Sequence, residues 1–364
     1  MVQSEGPERS AATDSPVPTA AVGDAPSKIS NVELFLRDFF VAMKTFLRFL
    51  QWTGVVLAVV VLAFVVAVFA RQHRTFDAPL PAIHASTDSA VVARGRYLVY
   101  GPAHCAQCHT PNADAAALND GKELPLCGGY VFDLDFGKVY TSNLTPDATG
   151  IANISDGQIT RAIRHGVRHD NLAMLPFMQF QYLSDEDLTA IVSFLRSQPP
   201  VRNDVSRFDL NFLGKAINAF LIKPDGAKGE VAKTVTPDTT AAYGKYMVNA
   251  VANCRSCHTE RSQLTAEFIG EELAGGNTFE HPEKGFTLTT PNLTPDPKTG
   301  RIHDWTFEMF RDRFRTGKLI PESEMPWNQF KHLSDNDLNA IYKYLMSVPP
   351  VENEITVMAM TEKQ

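Results

Sequence analysis

The sequence predicts an all-α protein with a single N-terminal transmembrane helix followed by two tandem helical domains of the same kind. Three observations lead to this prediction. A long uncharged run lies near the amino terminus, the pentapeptide Cys-x-x-Cys-His occurs twice, and the residues around both pentapeptides repeat in one order at a period of about 150 residues. A chain of 364 residues has room for two or three domains.

The predicted transmembrane helix covers residues 53–71. The chain carries no charge from Phe49 to Ala70. About 20 apolar residues, each rising about 1.5 Å, match a hydrocarbon core about 30 Å thick. A cleaved signal peptide is the alternative, but about fifty residues before the apolar run is far too long for a usual leader. We therefore expect an uncleaved anchor.

The segments beside the span have less distinctive compositions. Residues 1–30 are rich in Ser, Ala, Pro and charge, which predicts disorder. Residues 31–52 form an amphipathic juxtamembrane segment that either lies on the membrane surface or extends the next helix. Residues 72–88 contain prolines and are expected to form a tether. Residues 355–364 are expected to be a short tail.

Both pentapeptides have the chemistry of a covalent haem site. They read Cys105-Ala106-Gln107-Cys108-His109 and Cys254-Arg255-Ser256-Cys257-His258. Cys-x-x-Cys-His is the attachment signature of a c-type haem. Two thiols one helical turn apart form thioethers with one porphyrin, and the histidine supplies the proximal nitrogen to iron. We therefore expect two covalently bound haem c groups.

The fifth cysteine, Cys127, stands alone, so the fold is not a disulfide scaffold. Its counterpart in the repeat is Ala274, and a small buried residue is expected there, with a reactive thiol as the alternative.

Zinc binding by the pentapeptides is an alternative to haem attachment. It needs a fourth ligand at each site and does not explain the apolar run.

Two segments, 89–205 and 237–354, contain the same short motifs in the same order, so we interpret them as two copies of one domain. The matching motifs are Gly95-x-Tyr97 with Gly244-x-Tyr246, Leu126-Cys127-Gly128-Gly129 with Leu273-Ala274-Gly275-Gly276, Asn143-Leu144-Thr145-Pro146-Asp147 with Asn292-Leu293-Thr294-Pro295-Asp296, and Leu183-Ser184-Asp185 with Leu333-Ser334-Asp335. Both copies close with Pro-Pro-Val.

Each copy is predicted to begin and end with a helix. The first helices cover residues 89–104 and 238–253 and end at the haem motif. The closing helices begin at Ser184 and Ser334, which suit the N-cap position. Apolar residues at i, i+3, i+4 and i+7 follow, and two prolines stop each helix. The glycine of the first helix would allow close crossing with the closing helix. The Gly- and Pro-rich middle of each copy is expected to be loop.

A methionine is the usual sixth ligand that fills a haem site and raises its potential. In the second copy Met325, just before Pro326, is the candidate, whereas Met309 lies in a helical pattern and is expected in the core. The first copy holds both Met174 and Met178. Counting from the neighbouring repeat motifs selects Met174 or Leu175, and neither count selects Met178.

Other polar residues near these motifs receive simpler interpretations. Lone histidines such as His104 are expected at the surface or beside propionates rather than as ligands. His165 and His169 are alternatives to methionine. Arg164 and Arg315 occupy matching places before a glycine and are expected on solvated helix faces, with pairing to haem propionates as the alternative.

Residues 206–236 are expected to be an inter-domain linker. They hold an apolar piece followed by a Gly/Lys/Pro stretch. We expect a helix packed on the domain boundary. A docking surface for a partner or the membrane is the alternative.

The chain resembles the class I cytochrome c family in a tandem, membrane-anchored di-haem form. The resemblance rests on both haem motifs, the Met-Pro loop at Met325 and the closing helices. The resemblance covers about 89–205 and 237–354 and implies two class I cytochrome c domains. Similar domains occur in cytochrome subunits of periplasmic alcohol and sugar-acid dehydrogenases, which often carry three haems. Their Gly-Val-…-Pro-x-Met loop resembles the run from Gly166 to Met178. This implies Met178 as the iron ligand of the first copy, with Met174 as the alternative.

The expected function is electron transfer between periplasmic redox partners, such as dehydrogenase, oxidase or reaction-centre subunits. We find no catalytic constellation and expect no catalytic activity of its own. A di-haem peroxidase is the alternative, and it needs one iron with an open sixth position. A net charge of −7 gives no basic surface for nucleic acid. Haem attachment of this kind takes place outside the bacterial cytoplasmic membrane. We therefore expect a single-pass protein of that membrane with its haem domains in the periplasm.

Overall fold

A computed structural model describes residues 28–206, 208–262, 267–281 and 285–360. The predicted disorder of residues 1–30 falls almost wholly outside them. The chain divides into two compact units, the first ending at Val66 and the second beginning at Ala67.

The described part of the first unit lies within one long helix, α1 (Lys28–Arg71), whose residues from Ala67 onward belong to the second unit. The helix runs without a break through both the predicted juxtamembrane segment and the predicted span. Its length and apolar composition suit a membrane crossing. Before Val66 its large apolar side chains are exposed along the whole described length, as suits a helix that faces lipid.

The helices of the second unit are short and repeat in order. In the first copy and the linker they are α2 (Ser89–Tyr100), α3 (Cys105–His109), α4 (Ala115–Asn119), α5 (Asp156–His165), α6 (Asp185–Ser197) and α7 (Phe212–Phe220). They continue as α8 (Ala241–Tyr246), α9 (Cys254–Cys257), α10 (Phe307–Thr316), α11 (Trp327–Phe330) and α12 (Asp335–Leu345). A π-helical turn over Met247–Val251 follows α8.

The core of each copy is a crossing of its first and closing helices. Helix α2 packs on α6, and α8 packs on α12. Gly95 and Gly244 lie at the two crossings, where an added Cβ would stand 1.9 Å from the carbonyl oxygen of Ala190 and of Ala340 respectively. Only a residue without a side chain allows this approach. The expected close crossing is therefore present in both copies.

The first helices are shorter than predicted. Helix α2 ends at Tyr100 rather than at residue 104, and α8 ends at Tyr246 before the π-helical turn. The break before each haem motif has a backbone cause. His104 and Asn253 adopt left-handed conformations, with φ of 40° and 56°, so the helix cannot run directly into the motif.

The closing helices begin where predicted. The Ser184 and Ser334 hydroxyls accept a hydrogen bond from the backbone N–H of Asp187 and Asp337, both at 3.1 Å. These are N-caps that satisfy one of the free donors of a helix start.

The prediction of an all-α chain is incomplete, because short strands occur in the described residues. They are β1 (Val131–Leu134), β2 (Gly137–Tyr140), β3 (Phe208–Leu210), β4 (Thr278–His281), β5 (Phe286–Thr289) and β6 (Met358–Met360). All pairings are antiparallel, in the orders β1-β2-β3 and β4-β5-β6. Aromatic and β-branched residues favour strands in the middle of each copy, where we expected only loop.

The segments after each copy contribute to these sheets. Strand β3 lies in the predicted linker 206–236, and β6 lies in the predicted tail 355–364. Each adds an edge strand to the sheet of the copy before it. The predicted tether 72–88 is also packed: Ile83 is buried, and the Ala85 N–H donates to an Asp156 carboxylate oxygen at 2.8 Å.

The Asn-Leu-Thr-Pro-Asp turns make the same contacts in both copies. The Asn143 amide donates to the Val201 carbonyl and the Asn292 amide to the Val351 carbonyl, both at 2.8 Å. Each turn thereby holds the Pro-Pro-Val end of its own copy. Since buried amides need partners, this contact explains why asparagine stands at both positions.

We expect Gly95→Ala and Gly244→Ala to destabilise the second unit strongly. Overpacking a core usually costs about 1–3 kcal/mol, and here the new methyl meets backbone that cannot rotate away. The expected loss is about 3 kcal/mol or failure to fold. Urea unfolding of the full chain in detergent, followed by circular dichroism, measures it. Gly157→Ala is the control, because its Cβ would meet Leu80 at an ordinary 3.4 Å. Equal stability of all three variants would contradict the crossing.

Candidate functional site

Each haem motif begins a short helix that presents its histidine to the interior. His109 and His258 are each 7 % exposed. The His109 Nδ1 lies 2.9 Å from the Ser142 carbonyl oxygen, and the His258 Nδ1 lies 3.0 Å from the Pro291 carbonyl oxygen. A carbonyl oxygen only accepts, so Nδ1 carries the proton and Nε2 keeps its lone pair. This is how a metal-binding imidazole is held in the right tautomer.

Burial lowers the pKa of both imidazoles, chiefly by desolvation. The neutral form is the one that binds a metal. Desolvation also raises the pKa of Cys105 and Cys254 to about 12 and of Cys108 to about 11. The surroundings of both motifs are therefore apolar, which suits a porphyrin and disfavours free thiolates.

In each Gly-Gly motif, the first glycine binds the backbone carbonyl of the motif histidine. The Gly128 N–H donates to the His109 carbonyl oxygen and the Gly275 N–H to the His258 carbonyl oxygen, both at 2.8 Å. Both glycines have positive φ, 71° and 81°. Cys127 is half-buried beside the first pair, so the expectation of a small buried residue holds only in part.

The second copy encloses an apolar cavity of about 310 Å³, which has Cys254, Cys257 and His258 on its wall and Met325 among its other lining residues. This volume lies at the lower end of the range of about 300–1,000 Å³ for cofactor sites. The structure thus brings together all four residues that the sequence predicts for this site.

Sequence reasoning missed much of this cavity's lining. Arg301 and Arg313 contribute its cationic groups, and Trp305, Phe310 and Phe314 contribute aromatic surface. The signal was present in the spacing of Phe310 and Phe314, which share a helix face. Instead, Met309 was expected in the core, and this is wrong: it is 51 % exposed, whereas Phe310 is 3 % exposed.

In the first copy, Met178 and Met174 lie in the irregular loop before α6. Met178 packs against the buried apolar cluster that also receives Met325. The Met174 backbone N–H donates to the Gly166 carbonyl oxygen at 2.8 Å, which ties it to the turn after α5.

Arg164 and Arg315 hold the loop before each closing helix. Arg164 donates to the Leu183 carbonyl oxygen at 2.5 Å and pairs with Asp185 at 2.8 Å. Arg315 donates to the Leu333 carbonyl oxygen at 2.8 Å and pairs with Asp335 at 2.5 Å. The expectation of a solvated face is wrong for Arg164, which is 5 % exposed. Its guanidinium is needed inside because the carbonyls of this loop have to be satisfied.

The two haem-motif regions adjoin one another. His104, directly before Cys105, lines the cavity of the second copy. Its ring stands edge-on between Phe180 and Phe330, with both centroids 5.6 Å away. Glu324 lines the same cavity, and its charge adds to desolvation in raising the pKa of Cys108. His104 is therefore an interior residue between the motifs, which the sequence did not reveal.

Each copy provides one tyrosine, called an exchanged tyrosine, that binds the start of the other copy's closing helix. Tyr246 accepts from the Ser184 N–H at 3.0 Å and donates to Asp187 at 2.7 Å. Tyr97 accepts from the Ser334 N–H at 3.0 Å and donates to Asp337. Desolvation, then the neighbouring carboxylate, raises the pKa of both tyrosines, so they remain protonated donors.

Each buried aspartate also binds the first helix of its own copy. Arg94 forms a two-point ion pair with Asp187 at 2.8 and 3.1 Å. Tyr243 donates to Asp337 at 2.8 Å. Asp187 and Asp337 are 4 % and 3 % exposed. Each aspartate thus connects three helices, and together the two hold the first and closing helices of both copies to one another.

The repeated motif, the oriented histidine and the apolar cavity together define a c-type haem protein. Residues 92–199 match the family model described as cytochrome c, so the chain carries a domain of the cytochrome c family. Among the described residues no group of three or more His, Cys, Asp or Glu side chains is placed to hold a metal ion. That finding gives no support to zinc binding.

The chain is similar to cytochrome subunits of dehydrogenases. It is 30 % identical over 279 residues to the fructose dehydrogenase cytochrome subunit of Gluconobacter japonicus, covering 73 % of this chain and 54 % of that one. It is 27 % identical over 298 residues to the gluconate 2-dehydrogenase cytochrome c subunit of Pantoea cypripedii, covering 76 % and 64 %. The chain thus spans less than two thirds of these relatives.

A third relative is of more similar length. The diheme cytochrome c-type of Cereibacter sphaeroides is 27 % identical over 263 residues, covering 68 % of this chain and 83 % of that protein. These relatives support electron transfer as the general role of the chain.

We expect Tyr246→Phe and Tyr97→Phe each to lower the free energy of unfolding by about 1–3 kcal/mol, since each leaves a backbone N–H without its acceptor and a buried carboxylate short of a donor. Urea unfolding of the full chain measures the loss. Tyr182→Phe is the control: Tyr182 is 37 % exposed, so its change should stay within about 0.5 kcal/mol. A loss no larger than the control's would show that the exchange is not stabilising.

Proposed function

We propose that the chain is a membrane-anchored di-haem c-type cytochrome that transfers electrons between periplasmic redox partners. One observation carries the proposal: two Cys-x-x-Cys-His motifs each hold a buried histidine whose Nδ1 faces a backbone carbonyl, and Glu324 lies near a cysteine of both motifs. Redox centres that exchange electrons have to lie close together, and the shared neighbours His104 and Glu324 join these two regions.

The second copy is proposed to be a cytochrome c domain like the first. The support is the identity of local contacts: the Gly-Gly donors, the Asn-to-Val clamps, the glycine crossings and the arginine–aspartate pairs all recur. The diheme relative agrees with this interpretation. The tandem arrangement then runs over 89–205 and 237–354, with the sheets extended by the segments that follow.

The residues present fit two covalent haems. Cys105 and Cys108 would form the thioethers of the first, and Cys254 and Cys257 those of the second. His109 and His258 would be the proximal ligands, and Met178 and Met325 the sixth ligands. Bound haem iron supplies reversible one-electron oxidation and reduction. The protein's own part is to hold the imidazole tautomer, exclude water and keep each site closed.

Met178 is preferred to Met174 because it shares an environment with Met325. Both pack against the buried apolar cluster of the second unit. Met174 instead has its backbone tied to Gly166. With methionine at both irons, no open position is available for peroxide, and we propose no catalytic activity of the chain itself.

The proposed location is the bacterial cytoplasmic membrane, with α1 as a single span and the haem domains in the periplasm. The helix has the length and composition of a span. Covalent haem attachment outside the membrane sets the orientation. Relatives named as dehydrogenase cytochrome subunits make a dehydrogenase the proposed electron donor. An oxidase or reaction centre is the proposed type of acceptor.

We expect the denatured chain to carry the mass of two haems, because thioethers survive unfolding and acidified acetone. Intact-mass spectrometry checks this. Replacing Cys105 and Cys108 together by alanine should leave one haem, whereas Cys127→Ala should leave two. A chain that loses all its colour in acidified acetone would end the proposal.

Met325→Ala should make one haem high-spin, able to bind carbon monoxide, and lower in midpoint potential. Axial ligands contribute to a potential range of about 0.8 V, so the fall should be large. Optical spectra with and without carbon monoxide detect the open iron site, and a redox titration followed by the same spectra measures the midpoint potential. Met309→Ala is the matched control, because Met309 is exposed in the same copy.

The same measurement separates the two methionines of the first copy. Met178→Ala should open the other haem and Met174→Ala should not; the reverse result would make Met174 the ligand. An unaltered chain that already binds carbon monoxide and turns over peroxide would favour the di-haem peroxidase.

A further inference from the structure

Helix α7, in the predicted linker, exposes its apolar side, which a helix in water normally buries. Its larger apolar residues occur at i, i+1, i+5 and i+8, which places them on one side of the helix. That side is exposed: Leu213 is 56 % exposed, Phe212 45 % and Phe220 38 %, and Leu221 just beyond the helix is 62 % exposed. A surface helix of a soluble domain normally buries this face.

The small and polar side of α7 packs on the protein instead. Gly214 is buried, and an added Cβ there would stand 2.2 Å from the Phe136 carbonyl oxygen. Asn211 caps the helix start and donates from its side chain to the Asp135 carbonyl oxygen at 2.9 Å. Both contacts are to the hairpin between β1 and β2. The helix is therefore firmly seated with its apolar side away from the hairpin.

Helix α7 also contacts the end of α1, through polar residues and through Phe220 at the edge of its apolar side. The Asn218 amide donates to the Gln72 carbonyl oxygen at 2.7 Å. The Lys215 ammonium lies 5.6 Å from the Phe69 ring centroid, and the Arg71 guanidinium lies 5.4 Å from the Phe220 ring centroid. These distances are within the range of cation–π contact. Helix α7 is thus attached to the turn at which the apolar run ends.

We propose that α7 is an interfacial helix whose exposed apolar side inserts into the outer surface of the lipid bilayer. The proposal rests on α1 as the membrane span, which is itself part of the proposed function. Where the span leaves the hydrocarbon, the neighbouring surface of the bilayer begins, and α7 is bound to that turn. An interfacial helix buries its apolar side about 5–10 Å into the boundary between headgroups and acyl chains.

The basic residues around α7 suit the phosphates of that boundary. Arg71, Arg74 and Lys223 are exposed at the end of α1 and just after α7. Lysine and arginine side chains extend toward headgroups while their stems cover apolar surface. The apolar side and the basic rim together favour a lipid surface over a second protein.

Spin labels on the full chain in lipid vesicles test the proposal. In a Cys127→Ala background, whose motif cysteines are held as thioethers, single labels are placed by Leu213→Cys, Leu319→Cys and Val60→Cys. Leu319 is the matched control, at 62 % exposed against 56 % for Leu213. Val60 tests the span itself. Oxygen concentrates in lipid and the nickel chelate NiEDDA in water, so their collision rates report depth.

The label at Leu213 should favour oxygen over NiEDDA, with a depth between those of Val60 and Leu319, whereas the Leu319 label should favour NiEDDA. A Leu213 label as open to NiEDDA as Leu319 would overturn the proposal. Exclusion of both reagents would also overturn the proposal. In that case, spectral broadening between labels would indicate contact with a second molecule of this protein, and its absence would indicate packing within the chain. Water access at Val60 would instead refute the span.

Discussion

Two buried carboxylates, Asp187 and Asp337, each join three helices of the second unit. Each lies in the first turn of a closing helix and binds the first helix of its own copy. Each also accepts a hydrogen bond from the hydroxyl of a tyrosine of the other copy. A buried charge is tolerated only when it is paired and hydrogen-bonded. The geometry of both haem-motif regions depends on these contacts, because the same first helices lead into the motifs.

Much of this architecture follows from residues that can be recognised in the sequence. The haem motifs, the glycines at the crossings and the serine caps each have one local physical role, so spacing alone predicts them. Met325 was selected from the sequence by its place just before Pro326, and in the structure it lines one cavity with Cys254, Cys257 and His258. The residues between the motifs could be placed only as a loop, yet they pair as strands in the described part of the chain.

What the sequence did not predict depends on long-range contact. His104 looks like a lone surface histidine, but the other copy's Phe330 packs against it. Arg164 resembles an exposed helix residue until the carbonyls of a distant loop surround it. For the first copy's methionines the resemblance favoured Met178 over Met174, and Met178 packs against the buried apolar cluster that also contacts Met325. Partners far apart in the chain leave no periodic signal.

The exchanged tyrosines also have an evolutionary consequence. Each copy provides a tyrosine that binds the start of the other copy's closing helix, so neither copy has a complete set of polar contacts of its own. A gene that lost either half would encode a domain with an uncapped backbone donor and a buried carboxylate lacking its tyrosine. The two segments are therefore expected to be inherited as one piece.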